Sequence, residues 1–122
     1  MIKVLFAHAD PKLTDLYQPR LASHFNVDSA QDGLTALRKF KLNRPGLVVT
    51  DYHLPLLSGI ALLKFARSNN SAPIPFIFLT SALHTDHALG LGANDWLDLA
   101  SATPDLLVER IYGQLKLHHH GL

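Results

Sequence analysis

The chain has no cysteine among its 122 residues. Disulfides and thiol catalysis are therefore excluded, and the absence fits a reducing compartment. No apolar run approaches the roughly 20 residues that a membrane-spanning helix needs. The opening "IKVLFA" is too short for the apolar core of a secretion signal and is soon followed by Asp10 and Pro11. A soluble cytoplasmic domain with no membrane partner is expected. Charge of one sign is also scarce. The net charge is +1, and no stretch forms the basic stripe of a nucleic-acid binder. Direct nucleic-acid binding is not expected. Eight histidines can add positive charge at mildly acidic pH. There are no internal repeats, and no linker divides the chain. A chain of this length buries roughly two-thirds of its unfolded surface, so it needs no structural metal.

What is present is an alternation. "IKVLFA" (2–7) is a short buried strand, and "DPKLTDLYQPRLASHF" (10–25) follows with helical character. "NVDSA" (26–30) is a weak, partly polar strand. "DGLTALRKFKLN" (32–43) places Leu34, Leu37 and Phe40 or Lys41 at helical spacing, with Asp32 as its cap. "GLVVT" (46–50) is apolar on both faces. "SGIALLKFARSN" (58–69) is a helix opening at Ser58, and "IPFIFLT" (74–80) is the strongest strand. "TDHALGLG" (85–92) is a short helix weakened by glycine. "DWLDL" (95–99) is a strand. "TPDLLVERIYGQLK" (103–116) is a helix with Thr103 at the cap and Pro104 at the first helical position. Pro19 lies well inside the first helix and predicts a kink or break near Gln18.

This order is (βα) five times. Strands apolar on both faces imply a five-stranded parallel sheet with helices on either side, a doubly wound α/β fold. Such sheets place their chemistry at the carboxyl ends of the strands. The informative positions are then His8 to Asp10, Asp51 to His53, Thr80 to Ala82, and Leu99 to Ser101. "LHHHGL" at the end is expected to be a frayed tail. His84 and His87 sit three apart, which is metal-ligand spacing, but a solvated helix face is the expected role.

One stretch carries the most information. In "LVVTDYHLPLLSG" an apolar strand ends at Asp51, Pro55 follows four residues later, and Gly59 four after that. With "IPFIFLTSA" and "LGANDWL" in their places, the chain resembles the flavodoxin-like receiver domain of two-component response regulators. The resemblance runs from Ile2 to about Lys116. It implies a receiver domain over 1–117, with 118–122 as a tail.

The resemblance also implies a site. The aspartate matching Asp51 accepts a phosphoryl group from a histidine kinase or a small acyl phosphate. Its carboxylate is nucleophilic, and the transfer depends on positioning and charge neutralisation. Thr80 matches the switch hydroxyl and Trp96 the switch aromatic. Ser81 is small, as that position usually is. The charged members are missing. His8 and Ala9 stand where the family has its metal-binding acidic pair, and Asp10 falls one place later. Leu99 stands in place of the phosphate-pairing lysine, and Ala100 in place of the proline after it.

Mg²⁺ prefers an octahedral shell of oxygens. Asp51, the backbone carbonyl of His53 and a re-aimed Asp10 are the ligands left, so weak Mg²⁺ binding is expected. No other cofactor is implied. Neutral histidine is a poor ligand for so hard a cation. His8 is expected to fill polar space at the strand end; the sharper alternative is a pH-sensitive pair with Asp51. The expected function is a degenerate, non-enzymatic receiver that signals by protein–protein contact. The alternative is a working phosphoacceptor at Asp51 with an altered metal site. A flavodoxin-like cofactor binder would need a Ser/Thr/Gly-rich phosphate loop, which "AHADPKLTD" does not supply.

The expected partners are a histidine kinase or another signalling protein. A homodimer through the 84–116 face is a further expectation. There, Leu107, Val108, Ile111 and Leu115 form an apolar stripe. Leu106 is assigned to the opposite, polar face with Glu109, Arg110 and Gly113. Together with Trp96 and Leu89 or Leu91 it would make an interaction patch.

Overall fold

The computed structural model describes residues 1–68, 73–81 and 89–119. The strands are β1 (Lys3–Ala7), β2 (Asn26–Ala30), β3 (Leu47–Thr50), β4 (Phe76–Thr80) and β5 (Asp95–Asp98). The helices among the described residues are α1 (Pro11–Ala22), α2 (Gly33–Asn43), α3 (Gly59–Ser68) and α4 (Pro104–His119). All neighbouring strands pair in parallel, in the order β2-β1-β3-β4-β5. The order reverses between β1 and β3, so the switch point lies at their carboxyl ends.

The sheet is sealed on both faces because its side chains alternate between two cores. Leu5, Ala7, Val48, Phe76 and Phe78 pack with Ala36 and Phe40 of α2 and with Ile60, Leu62, Leu63 and Ala66 of α3. Val4, Phe6, Leu47, Val49, Ile77, Leu79 and Leu97 face the other way. They pack with Tyr17 and Leu21 of α1 and with Leu107, Val108 and Ile111 of α4. Fully burying an aliphatic or aromatic side chain of this size contributes about 1.5–3 kcal/mol. The two edge strands β2 and β5 are the exceptions, half-buried along most of their length, as the polar sequence of β2 predicts for a sheet edge.

Helix starts follow their local chemistry. Asp32 accepts from the Thr35 N–H, Ser58 from the Ala61 N–H, and Thr103 from the Leu106 N–H. Each satisfies one of the amides that a first turn leaves unpaired.

Four expectations are corrected. α1 runs without interruption through Pro19. Pro19 and Asp15 both lie on the exposed face, so the carbonyl that loses its donor is open to water. Of the residues at helical spacing in α2, Leu34 is 47% exposed, while Phe40 and the half-buried Leu37 reach the core beside Ala36. Leu106 is not on the polar face of the last helix: it is half-buried and packs against the α1/α4 core. α4 also continues past Lys116 to His119, with the His118 Nδ1–H donating to the Gln114 carbonyl. Of the helix expected at 85–92, residues 85–88 lie outside the described residues, as do His84 and His87. Leu89 and Gly90 are helical, and the Gly92 N–H closes on the Leu89 carbonyl.

Gly59 follows from this packing. A Cβ built on it would overlap the carbonyl oxygen of Asp51, whose neighbour Tyr52 accepts the Gly59 N–H at 3.0 Å. Gly59→Ala is expected to cost roughly 1–3 kcal/mol or more. Gly113 lies exposed inside α4 with nothing near its missing Cβ, so Gly113→Ala is expected to stabilise by about 0.5–1 kcal/mol. Urea denaturation of the two variants checks both signs.

Candidate functional site

The site lies where β1, β3 and β4 end side by side. Ala7 is level with Thr50. The chain keeps this pairing for one residue more, since the Asp51 N–H donates to the Ala7 carbonyl at 3.1 Å. Beyond that point the backbone turns into the loop to Gly59, and the Asp51 side chain stands at the sheet's end, 15% exposed.

Thr80 ends β4 and is 1% exposed. Its hydroxyl donates to Asp51 Oδ1 at 2.6 Å and accepts the Tyr52 N–H at 3.4 Å. The first distance lies in the range of a charge-assisted O–H···O⁻ bond. Because the hydroxyl accepts from the backbone, its proton is directed at the carboxylate. The Tyr52 amide's role was missed from sequence, because it depends on the register of β3 against β4.

His8 follows β1 and is buried, 6% exposed. Its N–H donates to the Ala30 carbonyl, which ties it to the end of β2. Its Nε2 lies 3.5 Å from Asp51 Oδ2, on the side of the carboxylate away from Thr80's contact. That separation is longer than a formed hydrogen bond, and the nitrogen has no other partner. Burial pushes the His8 pKa below its ordinary value, partly offset by the negative charges of Asp51 and Asp10. Of the roles weighed for His8, the structure places the ring beside Asp51.

Asp10 is the N-cap of α1. Its Oδ1 accepts the Lys12 N–H at 2.9 Å. An Asp followed by Pro at the first helical position carries that signal in sequence, and it was missed. Ala9 is exposed and brings no polar atom. His53 is exposed in the loop after β3. Leu99 receives its position from β4, its N–H donating to the Thr80 carbonyl at 2.9 Å. Its side chain packs half-buried against the α1/α4 core. Trp96, level with Phe78, is half-buried against the other core. Among the described residues no Lys or Arg pairs with Asp51.

A receiver-type Mg²⁺ site does not fit these residues. Asp10 is occupied as a cap, Ala9 offers nothing, and the position of the first acid is an imidazole turned toward the carboxylate that would hold the cation. No group of three or more His, Cys, Asp or Glu is placed to hold a metal among the described residues.

Comparison with known proteins agrees with the fold. The family model described as the response regulator receiver domain matches residues 4–111. The chain is 32% identical over 125 residues to the transcriptional regulatory protein TrcR of Mycobacterium tuberculosis, covering 98% of this chain and 47% of that protein. It is 32% identical over 121 residues to the transcriptional regulatory protein CseB of Streptomyces avermitilis, covering 97% and 51%. The chain thus spans about half the length of these curated relatives. The receiver domain of the Francisella response regulator 1452 superposes with a TM-score of 0.85 at 29% identity, covering 95% of this chain and 98% of that one. A receiver domain protein from Clostridium thermocellum reaches 0.88 over 100% of both chains at 22% identity, which speaks to the fold alone. The chain belongs to the response regulator receiver domain family.

His8 gives a pH prediction. Its folded pKa lies below the unfolded one, so the unfolded chain binds the extra proton first as pH falls. Its contribution to stability is complete above the ordinary histidine value and falls away as pH drops through that value. NMR titration of the His8 ring should place its midpoint below the ordinary value. Asp51→Asn should lower it further by removing the attraction that opposes burial.

Proposed function

We propose that this receiver domain is degenerate at its phosphorylation site and signals chiefly through protein–protein contact, without enzymatic activity. Asp51 is the phosphoacceptor position, Thr80 the switch hydroxyl and Trp96 the switch aromatic. His8, Ala9 and Leu99 are the degenerate positions. The observation that carries this proposal is the charge around Asp51. No Lys or Arg pairs with it among the described residues, and the carboxylates expected to hold a metal are absent or engaged elsewhere.

Phosphoryl transfer to a carboxylate builds negative charge that must be met by fixed positive charge or donors. Removing one well-placed stabilising donor commonly costs about 2.7–4 kcal/mol of transition-state stabilisation, or 10²–10³ in rate. Here both the metal ligands and the lysine are missing. The losses are not additive, but even one slows the reaction by orders of magnitude. Of the expected Mg²⁺ ligands, Asp51 and the His53 carbonyl are the two left. Mg²⁺ binding too weak to saturate at millimolar concentrations follows, with Asp10 excluded while it caps α1.

A second reading has one observation in its favour. The 2.6 Å bond between Thr80 and Asp51 keeps the hydroxyl where a phosphoryl group on Asp51 would meet it. Under that reading Asp51 is a working acceptor with an altered site.

The partners that suit the first reading are a histidine kinase or another signalling protein. We also propose the 84–116 face as a homodimer surface. Leu89, 40% exposed, and Tyr112, 48% exposed, are among its apolar contributions in the described residues. The net charge of +1 gives no electrostatic footprint for nucleic acid. Transcriptional regulation, named for relatives about twice as long, is not assigned to this chain. No described helix is long and apolar enough to cross a membrane; a cytoplasmic location and a receiver boundary near residue 117 complete the proposal.

Intact mass after incubation with acetyl phosphate and Mg²⁺, beside Asp51→Asn, tests it. The expected result is no adduct or a trace. A near-complete phosphoryl adduct, absent from Asp51→Asn, would establish the second reading.

A further inference from the structure

The buried Nε2 of His8 has no role in the function proposed above. A polar nitrogen at a residue 6% exposed, lacking a hydrogen bond, is uncommon in a native fold and calls for an explanation. The surrounding bonds fix what this nitrogen carries. The Asp10 backbone N–H donates to His8 Nδ1 at 3.3 Å. Nδ1 is therefore the bare, accepting nitrogen, and in the neutral ring the single proton resides on Nε2. That N–H lies beside Asp51 Oδ2, with Nε2 3.5 Å from it and no hydrogen bond made. The same Asp10 accepts the Lys12 N–H through its carboxylate, so α1's cap and His8's tautomer are set by one residue.

The two oxygens of Asp51 are thus faced by two neutral donors of different origin. Thr80 Oγ1–H is closed on Oδ1 at 2.6 Å, and His8 Nε2–H stands off Oδ2 by a gap too long for a bond. We propose that His8 replaces the divalent cation of this site: its Nε2–H occupies the approach to Asp51 Oδ2, making the site blind to Mg²⁺ and open to an anionic group on Asp51 without metal. The proposal rests on Asp51 being the phosphoacceptor position. A metal ion on Oδ2 would meet a hydrogen rather than a lone pair. Turning the lone pair of Nε2 outward would put a proton on Nδ1, against the Asp10 N–H. Both costs exclude the cation. An added oxygen anion on Asp51 has the opposite effect, because it gives the unpartnered N–H an acceptor. His8 is then a specificity-determining and positioning residue at this site.

The test needs no phosphodonor, so its failure is separate from that of the proposed function. The imidazole ¹⁵N resonances of the intact chain, recorded above the ordinary histidine pKa, report the tautomer. Amide shifts of Asp51, Thr80 and Trp96 during titration with millimolar Mg²⁺ report metal binding. The expected result is a bare Nδ1, a protonated Nε2 and no saturable Mg²⁺ shift. His8→Asp, which returns a carboxylate to the first acidic position, is expected to gain saturable Mg²⁺ binding, tighter by about tenfold or more. A protonated Nδ1 would overturn the proposal. Saturable Mg²⁺ binding in the unaltered chain that Asp51→Asn abolishes would also overturn it, as would a folded His8→Asp that stays indifferent to Mg²⁺. If His8→Asp does not fold, the tautomer and titration of the unaltered chain decide the matter.

Discussion

Burial of β3 on both faces is the constraint from which the site follows. Val48 and Val49 point into opposite cores and are 0% and 1% exposed. A strand held so firmly between β1 and β4 has one register, since a slip of one residue would exchange its faces. That register sets where β3 stops, and Asp51 is the first side chain past the seal. The ends of β1 and β4 then bring His8 and Thr80 to the same carboxylate from opposite sides. Gly59 fits the same constraint, because the returning chain passes too close to the Asp51 carbonyl for any Cβ.

In the function proposed, the scaffold and the charge at this site have separated. Positioning survives in the short Thr80–Asp51 bond, in the Tyr52 amide that orients Thr80, and in the strand pairing beneath them. A hydrogen bond to a charged group is worth about 1.5–3 kcal/mol. That is enough to hold a side chain and too little to replace a divalent cation and a lysine together. What remains is an ordered carboxylate with two neutral donors around it. Leu99 shows the separation in one residue: its backbone keeps the strand's bond to Thr80, while its side chain serves the hydrophobic core.

Much of this was legible in the sequence. The two-sided apolar runs "LVVT" and "FIFLT" define a parallel sheet covered on both faces, and their ends located Asp51 and Thr80. Features that depend on contacts distant in sequence were not legible. Leu106 reads as polar-face by helical spacing, but the rotation of α4 against α1 turns it onto the core. Pro19 reads as a break, yet its position on the wet face lets α1 continue. Asp10 has two competing uses, as a cap and as a metal ligand, and the amide of Lys12 decides between them. The approach of His8 to Asp51 joins residues 43 positions apart in sequence, and only the pairing of β1 with β3 reveals it.

The central claim is that missing charge, and not a disturbed fold, silences Asp51. It is tested most directly by restoring that charge with His8→Asp, Ala9→Asp and Leu99→Lys in one chain. Acyl-phosphate-dependent phosphorylation of Asp51 is then measured against the unaltered protein with Mg²⁺ present. The account predicts a rate increase of at least ~10²-fold, the amount that one recovered stabilising group supplies, and strict dependence on Mg²⁺. A folded triple variant that phosphorylates no faster than the unaltered chain would contradict it.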